Sequence, residues 1–153
     1  MKNIINKTLM ILSAAALMLA VSCTKEDTKV EQYLEVNASN LHGNWQLETK
    51  NGSALEEGTF FYINFNRSGQ EFKSWSAMNS IPNSYAYSEG TFDFYNDDPE
   101  LGITIRGIDN AKQDWNDRYV IKDLTKTHMT WIGVNDPTHI QTFKRITKIP
   151  FAN

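Results

Sequence analysis

Residues 59–66 are Thr59-Phe60-Phe61-Tyr62-Ile63-Asn64-Phe65-Asn66, and this stretch decides the fold. Phe61, Ile63 and Phe65 recur at every second position, whereas aromatic and amide side chains occupy the positions between them. Successive side chains of a β-strand point to opposite faces, so this period of two predicts a strand with one apolar face. Asn66-Arg67-Ser68-Gly69 follows, with the residue types of a tight turn. The stretch therefore predicts the first arm of a β-hairpin.

The same alternation continues through the chain from residue 41 onward. In the second arm of the hairpin, Glu71, Lys73 and Trp75 share one face, and Phe72 and Ser74 share the other. We predict about eight strands, at residues 43–49, 59–66, 70–76, 85–95 (one long strand, or two that break at Gly90), 101–105, 119–124, 129–132 and 140–146. Short strands that are joined by turns favour a closed barrel or a sandwich, and closure also removes exposed strand edges.

The first 22 residues have the features of a cleaved secretory signal. Lys2 and Lys7 give a basic start, residues 9–21 are apolar apart from Ser13, and Ala20-Val21-Ser22 supplies the small residues that a signal peptidase needs. The apolar run is shorter than the ~20 residues that span a bilayer. We therefore predict a signal peptide at residues 1–22 rather than a permanent transmembrane anchor.

Cys23 is the only cysteine of the chain and follows this signal directly. Leu19-Ala20-Val21-Ser22-Cys23 resembles a bacterial lipoprotein signal, in which the cysteine is acylated and becomes the first residue of the mature protein. No second cysteine exists with which it could form a disulfide. Each buried acyl methylene contributes ~0.8 kcal/mol, so two or more chains anchor a protein durably to a membrane.

The residues after the cysteine indicate where such an anchor would lie. Cys23-Thr24-Lys25-Glu26-Asp27 resembles the surface-export signal of lipoproteins from the Bacteroidetes group. The resemblance implies an outer-membrane protein that is exposed at the cell surface, and the alternative is an anchor that faces the periplasm. We expect a polar, flexible tether at residues 23–40 and the barrel domain at residues 41–153.

The charge of the chain excludes one large class of partners. Without residues 1–22 the chain carries 13 basic and 18 acidic residues, which is a net charge of −5. It contains no cluster of lysines and arginines, which argues against nucleic-acid binding. The sequence leaves the oligomeric state open.

The start of the predicted barrel carries a resemblance to a known family. Leu41-His42-Gly43-Asn44-Trp45-Gln46-Leu47 resembles the Gly-x-Trp opening of lipocalin-like domains. Residues 66–69, 119–124, 129–131 and 142–146 also fit the small lipocalin-like lipoproteins of Bacteroidetes. This resemblance implies an antiparallel up-and-down β-barrel. It also implies that Trp45 plugs the closed end and that a basic residue packs over it, Arg145 in the first place and Lys144 as the alternative.

Residues that would carry catalysis or hold a metal do not form a recognisable pattern. His42, His128 and His139 lack metal-ligand spacing, and no nucleophile elbow, P-loop or dinucleotide-binding motif occurs. The acidic residues at 97–100 lack the twelve-residue pattern of a calcium-binding EF-hand loop. We predict a non-catalytic protein without a metal or another cofactor.

Aromatic residues support two hypotheses about function. Phe, Tyr and Trp account for 18 residues, and an eight-stranded barrel either is filled by such side chains or holds one small ligand. The first hypothesis is a lumen that binds a small apolar or amphipathic ligand. The alternative is a filled barrel that contacts a glycan or a protein at the cell surface. Trp115, in a polar loop, is the main candidate contact residue unless it folds back over the barrel end, and Tyr85 and Tyr87 are further candidates at the barrel mouth.

Overall fold

The computed structural model describes residues 31–77, 84–150 and 152. The predicted signal, the lipidation site at Cys23 and the first part of the predicted tether lie outside the described residues. Residues 31–153 form one compact unit. Among the residues described, no helix combines the length and the apolar character needed to cross a bilayer.

The described residues form one short helix and nine β-strands. The elements are α1 (Ala38–Leu41), β1 (Gly43–Lys50), β2 (Ser53–Ala54), β3 (Phe60–Asn66), β4 (Glu71–Ala77), β5 (Ala86–Tyr95), β6 (Thr104–Asp109), β7 (Tyr119–Lys122), β8 (His128–Gly133) and β9 (Ile140–Ile146). From β3 to β9 each strand pairs antiparallel with the next, and β1 pairs with both β3 and β9. These eight strands close a barrel, while β2 extends the edge of β1 alone. The predicted all-β, up-and-down barrel of about eight strands is confirmed.

The barrel interior is built from the alternating apolar positions that the sequence displays. In β3, Ile63 and Phe65 are buried, and Phe65 lies opposite the buried Phe72 of β4. Burial of a side chain of this size contributes about 1.5–3 kcal/mol. The other interior residues share the same parity on their strands: Trp45, Leu47, Phe92, Ile105, Tyr119, Ile121, Met129, Trp131 and Phe143.

Gly90 explains why β5 is one continuous strand. It pairs with Phe72 on one side and with Asp109 on the other. A Cβ atom at this position would overlap the backbone of Ile108, so only glycine allows β5 and β6 to approach this closely. Of the two predicted alternatives, one long strand is therefore the one that forms.

The strand predicted at residues 101–105 begins later than expected. Leu101 lies in a turn, and β6 starts at Thr104. The Asp98 carboxylate accepts hydrogen bonds from the backbone N–H groups of Glu100 and Leu101, at 2.9 and 3.4 Å. These side-chain hydrogen bonds stabilise a turn where a strand was predicted, so the strand begins only at Thr104.

The predicted tether also ends earlier than residue 40. Leu34, Val36 and Ala38 pack against the core, and the Leu34 N–H donates to the carbonyl of Leu124 at 2.7 Å. We call residues 34–41, which end in α1, the N-terminal strap. It covers the end of the barrel at which β1 starts and β9 ends, so this part of the predicted tether belongs to the folded domain.

Candidate functional site

Trp45 lies at the end of the barrel that the N-terminal strap covers. Its side chain is fully buried, and its indole N–H donates to the carbonyl of Leu41 at 2.8 Å. The guanidinium carbon of Arg145 lies 4.1 Å from the centroid of the Trp45 ring. A cation over an indole face contributes about 0.5–2 kcal/mol, depending on burial. This geometry matches the plug and basic partner that the family resemblance implies.

Arg145 also joins the strap to the barrel through hydrogen bonds. Its guanidinium donates to the carbonyls of Asn40 at 2.6 Å, Lys126 at 2.8 Å and His42. Gly43 has a φ of +124°, and a Cβ atom there would lie 2.7 Å from an Arg145 nitrogen, which accounts for the glycine of Gly-x-Trp. Burial lowers the pKa of Arg145. The group stays a cation at neutral pH, because a guanidinium group is not deprotonated in folded proteins.

Lys144, the alternative partner of Trp45, has a different position. Its ammonium group lies 3.1 Å from a carboxylate oxygen of Glu48. Lys144 pairs across the strands with Gln46, whereas Arg145 pairs with Trp45. Successive residues of β9 face opposite sides, so only Arg145 can lie over the Trp45 ring.

Trp115 is partly buried and packs against the core of the barrel. Its ring centroid lies 5.1 Å from that of Phe72, 5.4 Å from that of Trp131 and 6.4 Å from that of Tyr119. A Cβ atom at Gly107 would overlap the Trp115 ring, so the indole occupies the space that this glycine leaves. The hypothesis of an exposed contact residue is corrected: the loop tryptophan folds back into the core.

Aromatic rings meet across the interior of the barrel. The Trp131 ring centroid lies 4.8 Å from that of Phe143 and 6.0 Å from that of Phe65, and Phe65 lies 5.0 Å from Phe92. These residues come from β8, β9, β3 and β5, which surround the lumen. Together with Trp115, the rings occupy the interior at their level, and such pairs add about 0.5–1.5 kcal/mol each beyond burial.

Tyr85 and Tyr87 border a cleft on the outer wall of the barrel. Tyr87 pairs across the strands with Trp75, and Trp75 pairs with Tyr62, so one row of rings crosses β3, β4 and β5. The Trp75 and Tyr87 ring centroids are 5.3 Å apart at an interplanar angle of 53°. Tyr85 is 46% exposed and Tyr87 is 47% exposed, whereas Trp75 below them is 6% exposed. The predicted place at the barrel mouth is corrected to this outer wall.

Polar side chains line the same cleft, whose volume is about 550 Å³. Lys73 lies between Asn64 and Glu89 in the neighbouring cross-strand row, and Asn64 donates to the Asn44 side chain at 2.7 Å. The Tyr87 hydroxyl donates to Glu89. Burial, together with this carboxylate, raises the pKa of Tyr87 to about 12, so the phenol is neutral at physiological pH. The cleft therefore combines exposed aromatic faces with amide and ammonium groups.

The acidic residues after β5 have structural partners. Asp97 accepts two hydrogen bonds from Arg118, at 2.7 and 3.0 Å, and this interaction lowers the pKa of Asp97. Asp98 caps the following turn. The described residues contain no group of three or more histidine, cysteine, aspartate or glutamate side chains that could hold a metal ion.

Trp75 is the cleft residue that the sequence prediction missed. The alternation had placed it on the same strand face as Glu71 and Lys73, and charged neighbours of this kind indicate the solvent face. A large aromatic side chain on a solvent-facing strand position was the sequence feature that could have indicated this site.

In comparisons with family models, curated proteins and solved structures, nothing matches this chain.

Proposed function

We propose that this protein is a non-catalytic recognition module, a filled barrel that binds glycans at the cleft on its outer wall. A lipid anchor on Cys23 would hold it at the outer membrane, exposed at the cell surface. The filled barrel was the alternative hypothesis from the sequence, and the positions of the aromatic side chains favour it over a ligand in the lumen.

The two exposed tyrosines that line the cleft together with Trp75 are the observation that carries this proposal. One face of a pyranose ring consists largely of C–H groups and packs on aromatic side chains, whereas the hydroxyl groups of the sugar need polar partners. Tyr85 and Tyr87 offer the flat apolar surface, and Asn44 and Asn64 offer amide groups in the same cleft. An exposed apolar patch that polar residues surround is typical of a binding surface.

Contacts inside the barrel argue against the first hypothesis, a small apolar ligand in the lumen. A ligand at the level of Trp131 would have to displace rings that contact one another at 4.8–6.0 Å. Truncation of a buried Phe or Trp side chain to alanine lowers the free energy of unfolding by about 3–5 kcal/mol, which shows how much such packing contributes. An outer-wall cleft needs no such rearrangement.

The proposed location depends on the N-terminal sequence features. The basic start, the apolar run and the small residues before Cys23 support export and lipidation, and residues 24–27 support surface display. The net charge of −5 gives no electrostatic attraction to an anionic membrane surface, so the acyl chains would be the means of attachment.

The test is glycan binding by residues 24–153, measured by array screening followed by titration calorimetry. We expect Tyr87→Ala to weaken binding at least about tenfold, because an aromatic contact in such a site contributes more than about 1.4 kcal/mol. Tyr33→Ala is the matched control, since Tyr33 is 69% exposed and does not line the cleft. Equal binding by the two variants and the unchanged protein would refute the outer-wall site.

A further inference from the structure

Lys73 is the cation of the outer-wall cleft, and its ammonium group is available to a ligand. The residue is exposed and lies on β4, between the cleft-lining strands β3 and β5. Within the described part of the chain, no group forms a hydrogen bond or an ion pair with its ammonium nitrogen. A lysine that already formed an ion pair within the protein would contribute less to the binding of a ligand.

Glu89 lies opposite Lys73 on β5 but is engaged elsewhere. One carboxylate oxygen accepts the Tyr87 hydroxyl, and the other lies 3.4 Å from the Asn110 amide nitrogen. On the other side, Asn64 donates its amide N–H to Asn44, which leaves the Asn64 carbonyl oxygen as an acceptor. Among the described residues, Glu89 is therefore engaged by Tyr87 and Asn110, and the Lys73 ammonium group has no hydrogen-bond or ion-pair partner.

We infer that the cleft selects saccharides that carry an anionic group, either a carboxylate or a sulfate. The apolar face of the sugar packs on Tyr85 and Tyr87, and the anion pairs with Lys73. This inference rests on the proposed function and adds the charge class of the ligand. The net charge of −5 does not attract polyanions, and Lys73 is the cation among the side chains that line the cleft.

Two matched pairs of polymers separate charge from sugar stacking. Oligogalacturonate and its neutral methyl ester test the carboxylate, and dextran sulfate and dextran test the sulfate. We expect at least one anionic member to bind residues 24–153 about fivefold more tightly than its neutral counterpart, which is the upper range for a solvent-exposed ion pair. The preference should decrease at 0.5 M salt, because salt screens exposed charges.

Two lysine variants connect the preference to the cleft. Lys73→Met should reduce the ratio of anionic to neutral affinity to about one. Lys122→Met is the control, because Lys122 is exposed on β7, away from the cleft. Equal anionic and neutral binding, or equal loss in both lysine variants, would overturn the inference.

The outcome also separates this inference from the proposal on which it rests. If neutral and anionic glycans bind equally and both depend on Tyr87, the glycan-binding proposal stands and the charge selection is wrong. If no glycan of either charge depends on Tyr87, both are wrong.

Discussion

Arg145 shows how one side chain connects the strap, the first strand and the last strand. It lies over Trp45 and donates to three backbone carbonyls, so its removal leaves a buried indole uncovered and carbonyls without partners. We expect Arg145→Met to lower the free energy of unfolding by about 2–4 kcal/mol. Lys144→Met should lower it by less than about 1 kcal/mol, since Lys144 forms only an exposed ion pair. Urea denaturation measures both, and equal losses would contradict this account.

Gly107 and Trp115 form a second pair of residues that depend on each other, because the indole packs against the glycine. A methyl group at position 107 would overlap the indole, so Gly107→Ala should lower the free energy of unfolding by about 1–3 kcal/mol. In a Trp115→Ala background the same substitution should cost much less, because the space is then empty. A double-mutant cycle by thermal denaturation measures this coupling. Additive effects of the two substitutions would show that Trp115 does not pack on Gly107.

These two pairs differ in how far the sequence predicts them. The Gly-x-Trp resemblance indicated both Trp45 and Arg145. The position of Trp115 depends on the missing side chain of Gly107 and on a turn after β6, and neither has a signature in the polar loop around it. An indole among Asp and Asn residues therefore gives the same sequence pattern whether it is exposed or folded inward.

The N-terminal strap lies mostly within residues 23–40, which the sequence predicts as a flexible tether, but it packs against the core. Its apolar residues are few and do not alternate, so no periodicity marks it, yet Leu34 and Val36 contact the core. The strands were predictable because one face of each is buried against the same core. The start of β6 was not predictable, because the Asp98 side chain caps a local turn.

The strap makes its own contribution to stability. A chain that begins at residue 42 lacks Leu41, which is buried, and the Asn40 carbonyl that accepts from Arg145. Compared with a chain that begins at residue 31, we expect its free energy of unfolding to be lower by at least about 3 kcal/mol. Chemical denaturation of the two chains measures the difference. Identical stability would mean that residues 31–41 are only a tether.

At the scale of the whole molecule, the domain combines a packed interior with a binding surface on its wall. The closed barrel holds most residues of the cleft on the paired strands β1, β3, β4 and β5, and such a rigid surface loses little conformational entropy when a ligand binds. A lipid anchor on Cys23 would present this wall to glycans outside the cell. The sequence predicted the barrel well, but it could not decide between lumen and wall, because both arrangements need the same aromatic composition.

Lipidation of Cys23 is tested in a bacterial host that acylates lipoproteins. We expect the full chain to incorporate an alkyne-labelled palmitate and to fractionate with the outer membrane. Cys23→Ala should lose the label and leave the membrane fraction, since no other cysteine can be acylated. Retention of the label in that variant would contradict a thioether-linked anchor at Cys23.

The indole N–H signals of the four tryptophans report whether a ligand contacts the outer wall or the lumen of the barrel. Trp75 lines the outer-wall cleft, Trp115 and Trp131 lie inside the barrel, and Trp45 lies at its closed end. The measurement is a ¹⁵N–¹H correlation spectrum of residues 24–153 during titration with a glycan that binds. The account predicts that the Trp75 signal shifts while the signals of Trp115 and Trp131 stay in place. Shifts of Trp115 and Trp131 without a shift of Trp75 would place the ligand in the lumen and contradict it.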